Sequence, residues 1–246
     1  MLTRLELKLK PNEKNTYNAN IGSILQGFLM ENIGGDFIKK IHNSNLHPYS
    51  QYIISDNKGL SWIINTLDEE SKNKIIDKLK NLKTIELKHR KETIEVEDVD
   101  IRTQSYEELI EKYYIVDQSV TVSLKFLTPT SFKHKGKYMI YPTPRHIFQS
   151  LIMKFNCFSK DTGILQEEFL QMIEELIILQ NYQLKSTFFS LEGVKIPSFY
   201  GEVMYRINGP GQMINMIHML SAFGEYSGVG IKAAIGMGAI RTKHKN

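Results

Sequence analysis

Three groups of residues in this chain are suited to chemistry: a glycine-rich run near its end, two histidines near its start, and a basic cluster in the middle. The run Gly228-Val229-Gly230-Ile231-Lys232-Ala233-Ala234-Ile235-Gly236-Met237-Gly238 sets two pairs of glycines around a five-residue span with one lysine. Glycine admits positive φ and close backbone approach, so such a run can turn N–H groups toward an anion while Lys232 adds a point charge. Gly228, Gly230, Lys232, Gly236 and Gly238 are therefore candidate phosphate contacts; the alternative is a helix-to-strand turn shaped for packing. The spacing matches neither a Walker A loop nor the dinucleotide fingerprint. His42, in Ile41-His42-Asn43, closes a short helix, where the negative end of the helix dipole favours a cation. An imidazole there can carry a proton to or from a reacting oxygen, although the same placement suits an ordinary surface histidine. His47 lies five residues on and could reach the same place, or could simply be held extended by Pro48. Lys133-His134-Lys135-Gly136-Lys137 reads as a hairpin turn, either solvated or in contact with a polyanion through Lys133, Lys135 and Lys137. Arg145 falls in the first turn of a helix, where a cation opposes the dipole unless an anion docks there too, which makes it a further candidate contact.

The elements that must hold these groups follow from periodicity. Leu5, Leu7 and Leu9 alternate with charged residues, a half-buried strand. Ile21, Ile24, Leu25, Phe28 and Leu29 make an amphipathic helix stopped by Gly34-Gly35, and Asp36 is expected to cap a second helix through Phe37 and Ile41. Strands are expected over 51–55 and 60–65 about an Asp56-Asn57-Lys58-Gly59 turn, then a helix with Ile75, Ile76, Leu79 and Leu82 inward, and strands ending near Arg102. The second half repeats that order without repeating the sequence. A strand carries Val122, Leu124 and Phe126, and a helix opened by Thr143-Pro144 turns Ile147, Leu151, Ile152 and Phe155 inward. Another helix is expected over 164–180, strands over 183–191 and 194–208, a helix from Gly211 to Gly224, and a last strand over 235–242. Strand, helix, strand, strand, helix, strand, twice over, is the split βαβ order. It predicts an α+β protein with domains at 1–116 and 117–246 that pack together.

Length and composition agree. The chain has 246 residues, 41% hydrophobic and 24% charged, which is globular and long enough to bury a core without disulfides. No apolar run reaches the roughly 18–20 residues of a membrane span, and the charged N-terminus is not that of a signal peptide. Cys157 stands alone and the seven histidines lack metalloprotease spacing, so no disulfide, metal or other cofactor is expected. Residues 1–116 carry 17 Lys/Arg against 18 Asp/Glu and residues 117–246 carry 14 against 9, so the basic half is the one with the glycine run. That asymmetry suits a polyanion, and with only six arginines the contact would be to phosphates more than to base edges.

The glycine-rich run resembles, residue for residue, the C-terminal loop of the CRISPR-associated repeat-RNA endoribonucleases, the pre-crRNA processing nucleases of the RAMP superfamily. Phe223-Gly224-Glu225-Tyr226-Ser227-Gly228, Gly27-Phe28-Leu29-Met30-Glu31, Thr128-Pro129-Thr130-Ser131-Phe132 and Ile147-Phe148-Gln149-Ser150-Leu151 are similar to the type III-A form, and the likeness runs through most of the chain. The resemblance implies two tandem ferredoxin-like (RRM-like, βαββαβ) domains side by side, with the glycine-rich loop at the C-terminal end. It implies a metal-independent endoribonuclease that cuts CRISPR precursor transcripts within each repeat by 2′-OH attack, leaving a 5′-OH and a 2′,3′-cyclic phosphate or 3′-phosphate. His42 occupies the place of the family's catalytic histidine, as general acid or base, with His47 second. The glycine loop, Lys232, the hairpin lysines and Arg145 would hold the RNA. Some members add a tyrosine and a lysine to the histidine. Met30 stands where that tyrosine would be, leaving Lys39, Lys40 and Lys232 as candidates to offset transition-state charge. The implied partners are the repeat RNA and a type III-A effector complex that receives the guide. The setting would be cytoplasmic, away from membranes, with a homodimer left open. The alternative is a non-catalytic RNA-binding subunit of a CRISPR ribonucleoprotein, with the fold and loop but no chemistry.

Overall fold

Alternation in the first strand is real burial: in β1 (Leu2–Lys10) Leu5, Leu7 and Leu9 lie in the core while Lys8 and Lys10 face solvent. The computed structural model describes residues 1–12, 17–56, 59–160 and 163–243. β1 is followed by α1 (Gly22–Ile33) and α2 (Gly35–His42), β2 (Tyr49–Asp56) and β3 (Gly59–Thr66). Short helical turns then follow at α3 (Glu69–Ser71), Lys72–Ile76 and α4 (Asp77–Leu79), before β4 (Thr84–Leu87) and β5 (Glu92–Gln104). The strands lie in the order β2-β3-β1-β5-β4, every ladder antiparallel. Without the edge strand β4 this is the ferredoxin-like order.

After α5 (Tyr106–Ile110) the same order returns. β6 (Thr121–Thr130) is followed by the hairpin β7 (Phe132–His134) and β8 (Lys137–Met139), then α6 (Pro144–Phe158) and α7 (Gln166–Leu176). β9 (Ile177–Leu191), β10 (Val194–Ile207), α8 (Gly211–Ser227) and β11 (Ile240–Lys243) complete it. The sheet runs β11-β6-β10-β9, again antiparallel. No helix among the described residues is long and apolar enough to cross a membrane.

Each sheet buries one face under helices. Leu25, Leu29, Ile75 and Leu79 cover Leu7, Trp62 and Ile64 in the first half, and Ile147, Leu151, Phe155 and Phe223 cover Leu124 and Phe126 in the second. The halves interlock. Tyr106 of α5 sits edge-on to Phe155, centroids 5.7 Å apart, and Leu109, Leu2 and Leu67 enter the second core. In return Ala234 enters the first core. Buried Gln51 donates to Ala234 O (2.9 Å) and Gly22 O (3.1 Å), and its Oε1 accepts from Trp62 Nε1 (2.7 Å). All its polar atoms are thus satisfied, as burial requires.

Several boundaries differ from expectation. The helix expected to 180 ends at Leu176, because Ile177 and Ile178 pair with Ile207 and Arg206 and extend β9. The helix around Ile75–Leu82 breaks into turns opened by a capping box between Asp68 and Ser71. Asp36 is not a cap: α2 starts from Gly34, φ 88°. α8 runs on to Ser227, and the last strand starts only at Ile240 because Ala233–Ile235 forms a 3-10 turn. Thr143 caps α6 as expected, accepting from His146 N. Of the expected turn at 56–59, Asn57 and Lys58 lie outside the described residues.

Candidate active site

Where the two halves meet, α2 and the segment after it face α6 and the glycine run across a cleft of about 740 Å³. Its walls include His42, His47, Lys133, Ser150, Lys154 and Lys232. His42 is the last residue of α2 and is exposed. His47 is half-buried, set edge-on to Tyr49 with centroids 5.9 Å apart, and its buried Nδ1 has no partner. Burial first, then the neighbouring charges of His42 and Lys154, hold its pKa below the ordinary value, so His47 is a neutral base at pH 7. Tyr49 accepts from Gln26 Nε2 at 3.5 Å, and burial pushes its phenol up to about 12, so it stays protonated.

The glycine run is shaped by what it touches. At Gly230 (φ 70°) a Cβ would meet Ser131 O at 2.3 Å, and at Gly238 (φ 71°) Val229 O at 1.9 Å. Gly22 at the start of α1 has the same role from the other side, its Cβ position 2.3 Å from Ile235 O. Many of the run's N–H groups are spent inside the protein. Gly230 N donates to Ser150 Oγ (2.9 Å), Ile231 N to Ser131 O (3.0 Å), Val229 N to Gly238 O (2.8 Å) and Gly238 N to Pro129 O (3.1 Å). The run is therefore a strapped turn, and what it presents to the cleft is Lys232 with its neighbouring backbone. Lys232 is exposed and left-handed at φ 59°, a conformation costing about 1–2 kcal/mol for a non-glycine residue.

One cleft residue escaped the sequence reading. Lys154 of α6 is 7% exposed, and its Nζ donates to Ser227 O (2.8 Å) and Gly228 O (2.9 Å) at the end of α8. Burial brings its pKa down to about 7. Its signal was a lysine at i+7 from Ile147, on the stripe otherwise occupied by Leu151 and Phe155.

The remaining expected residues scatter. Lys135 and Lys137 are exposed on the β7–β8 hairpin, with Lys135 and Gly136 at positive φ in its turn, and neither lines the cleft. Arg145 does not line it either: Glu174 (2.8 Å) and Glu167 (3.0 Å) of α7 answer its charge, which explains a cation at a helix start without any docked anion. Lys39 pairs with Asp36 and Lys40 with Glu70, both outside the cleft lining. Met30 packs against the first core. Among the described residues no three or more His, Cys, Asp or Glu side chains gather as a metal-ligand set.

Comparison with known proteins identifies the family of the chain. The family model described as CRISPR-associated endoribonuclease Cas6 matches residues 124–240. A CRISPR-associated endoribonuclease Cas6 of Streptococcus thermophilus is 30% identical over 219 residues, covering 89% of this chain and 90% of that protein. One from Mycobacterium tuberculosis is 31% identical over 252 residues, covering 98% and 78%. Among solved structures, Thermus thermophilus Cas6 superposes with a TM-score of 0.77 at 22% identity, covering 99% of this chain and 98% of the other.

Proposed function

The chain belongs to the Cas6 family of CRISPR-associated endoribonucleases, and on that premise we propose that it cuts CRISPR precursor transcripts within the repeat by metal-independent attack of a ribose 2′-OH. The observation that carries the reading is that His42 and His47, five residues apart, both face the cleft floored by the glycine run, Lys154 and Lys232. His47, neutral at pH 7, takes the proton of the 2′-OH. The 2′-oxygen then bonds to phosphorus, and the bond from phosphorus to the 5′-oxygen breaks. His42, exposed at the end of α2, gives the departing 5′-oxygen its proton. The products are a 2′,3′-cyclic phosphate and a 5′-OH. Lys232 offsets charge on the phosphate in flight, the role left open by Met30. The glycine run places that lysine, Lys133 meets the backbone, and Lys135 and Lys137 extend the positive surface.

The partner is repeat RNA. We further propose that the mature guide passes in the cytoplasm to a type III-A effector complex, which co-purification of guide and effector subunits from cells would test. A homodimer would be checked by sedimentation.

The deciding assay is cleavage of the repeat RNA of the same locus in EDTA, with a 2′-deoxy nucleotide at the cut site as control. Wild type cuts the all-ribose strand and leaves the 2′-deoxy strand whole, and His42→Ala and His47→Ala bind without cutting. A wild type that binds but never cuts would make the protein a non-catalytic RNA-binding subunit.

A further inference from the structure

α6 presents two polar side chains one helical turn apart toward the glycine run. Ser150 Oγ accepts the Gly230 N–H at 2.9 Å, and Lys154 Nζ gives two hydrogen bonds to the carbonyls of Ser227 and Gly228. Those carbonyls are at the C-terminal end of the 17-residue α8, where backbone acceptors lack intrahelical partners and the dipole is negative. An ammonium is the fitting cap there. A lysine buried this deeply is costly, so its persistence on an otherwise apolar stripe calls for a task.

Resting on the reading of the cleft given above, we propose that Lys154 is a positioning residue for the reaction: its ammonium clamps the glycine run to α6, and its positive charge bears on His47 in the same cleft. The clamp fixes the point where the chain leaves α8, four residues before Lys232. The charge acts through space on His47, where it adds to burial and to the charge of His42 in disfavouring a proton. The other titratable groups lining the same cleft are Tyr49 of β2, His146 of α6, Lys133 of β7, Lys232, and Glu192 of the β9–β10 turn. Lys154 is itself protonated below about pH 7, so its influence is present where His47 titrates.

The test is NMR titration of the His47 ring in the free protein, paired with single-turnover cleavage against pH, for wild type, Lys154→Met and Lys154→Arg. Removing the charge lets His47 protonate at higher pH. In Lys154→Met its titration and the acid limb of cleavage move up together by about half to one pH unit, while Lys154→Arg stays near wild type. Loss of the clamp adds a pH-independent fall of about tenfold, which Lys154→Arg in part restores. A purely structural lysine would lower the rate at every pH and leave the limb in place. Should Lys154→Met fold poorly, Lys154→Gln, which still donates to one carbonyl, gives the same comparison. A His47 titration unmoved in the uncharged variants overturns the proposal. The NMR arm needs no catalysis, so a wild type that never cuts would overturn the nuclease reading and leave this result legible.

Discussion

The two halves share a strand order but differ in the groups the proposed reaction draws from each. The first half supplies His42 and His47 from the end of α2 and the segment after it, where His42 is exposed and His47 half-buried. The second supplies a buried ammonium and a strapped backbone turn, with Lys154 and Gly230 both held by hydrogen bonds inside the protein. On the proposed reading, the groups that gain and lose protons stand where water and substrate can reach them. The groups that set position are held by hydrogen bonds inside the protein. One copy of the fold would then supply the proton carriers and the other the registration and the cation Lys232.

That division can be broken at several points. The largest effect should come from the first half: His42→Ala and His47→Ala each lower the single-turnover rate about 10²–10⁴-fold, with repeat-RNA Kd within a few-fold of wild type. If either leaves the rate intact, proton transfer is not divided between them. Next comes the seam. Gly22→Ala forces its Cβ into Ile235 O, so urea unfolding should show a loss of about 1–3 kcal/mol and weaker RNA binding. Gly27→Ala in the same helix, with open space around it, should gain up to about 1 kcal/mol. Smaller still are the surface cations. Lys232→Ala and Lys133→Ala should each reduce the salt slope of RNA binding by about one, whereas Arg145→Ala, already paired with Glu167 and Glu174, should leave it unchanged. The gentlest is acid stability. His47 is neutral in the fold and takes a proton more readily in the unfolded chain, so stability is full above about pH 6.5 and falls as the pH drops through the lower folded value. His47→Ala should flatten part of that decline in thermal melts between pH 7 and 5.

The fold was legible wherever period and burial coincide. Leu5, Leu7 and Leu9, or Ile147, Leu151 and Phe155, allow one orientation only, and the two βαββαβ runs follow from them. It was less legible at 177–182, where an apolar stretch suits helix or strand and the pairing of Ile177 with Ile207 decides. Capping boxes at Asp68 and Ser105 open helical turns that the reading by periodicity did not place. For the cleft, His42, His47 and Lys232 came from the resemblance and from residue type. Lys154 did not, because a lysine on an apolar stripe reads as a defect until its two carbonyl partners, more than 70 residues away, are seen. Arg145 was incompletely legible for the converse reason: Glu167 and Glu174 are distant in sequence, and without them its charge had looked unanswered.

The chain's single tryptophan, Trp62, is 11 residues from Gln51 in sequence and hydrogen-bonded to it, and Gln51 in turn holds Ala234 across 183 residues. This makes the indole an optical gauge of the first core, one hydrogen bond short of the seam. Refolding should yield two resolvable signals, Trp62 emission recovered when the first core closes and cleaving power recovered later, when the 183-residue separation is bridged. A molecule with both halves folded and the seam open would have its fluorescence and both proposed histidines and no cleft.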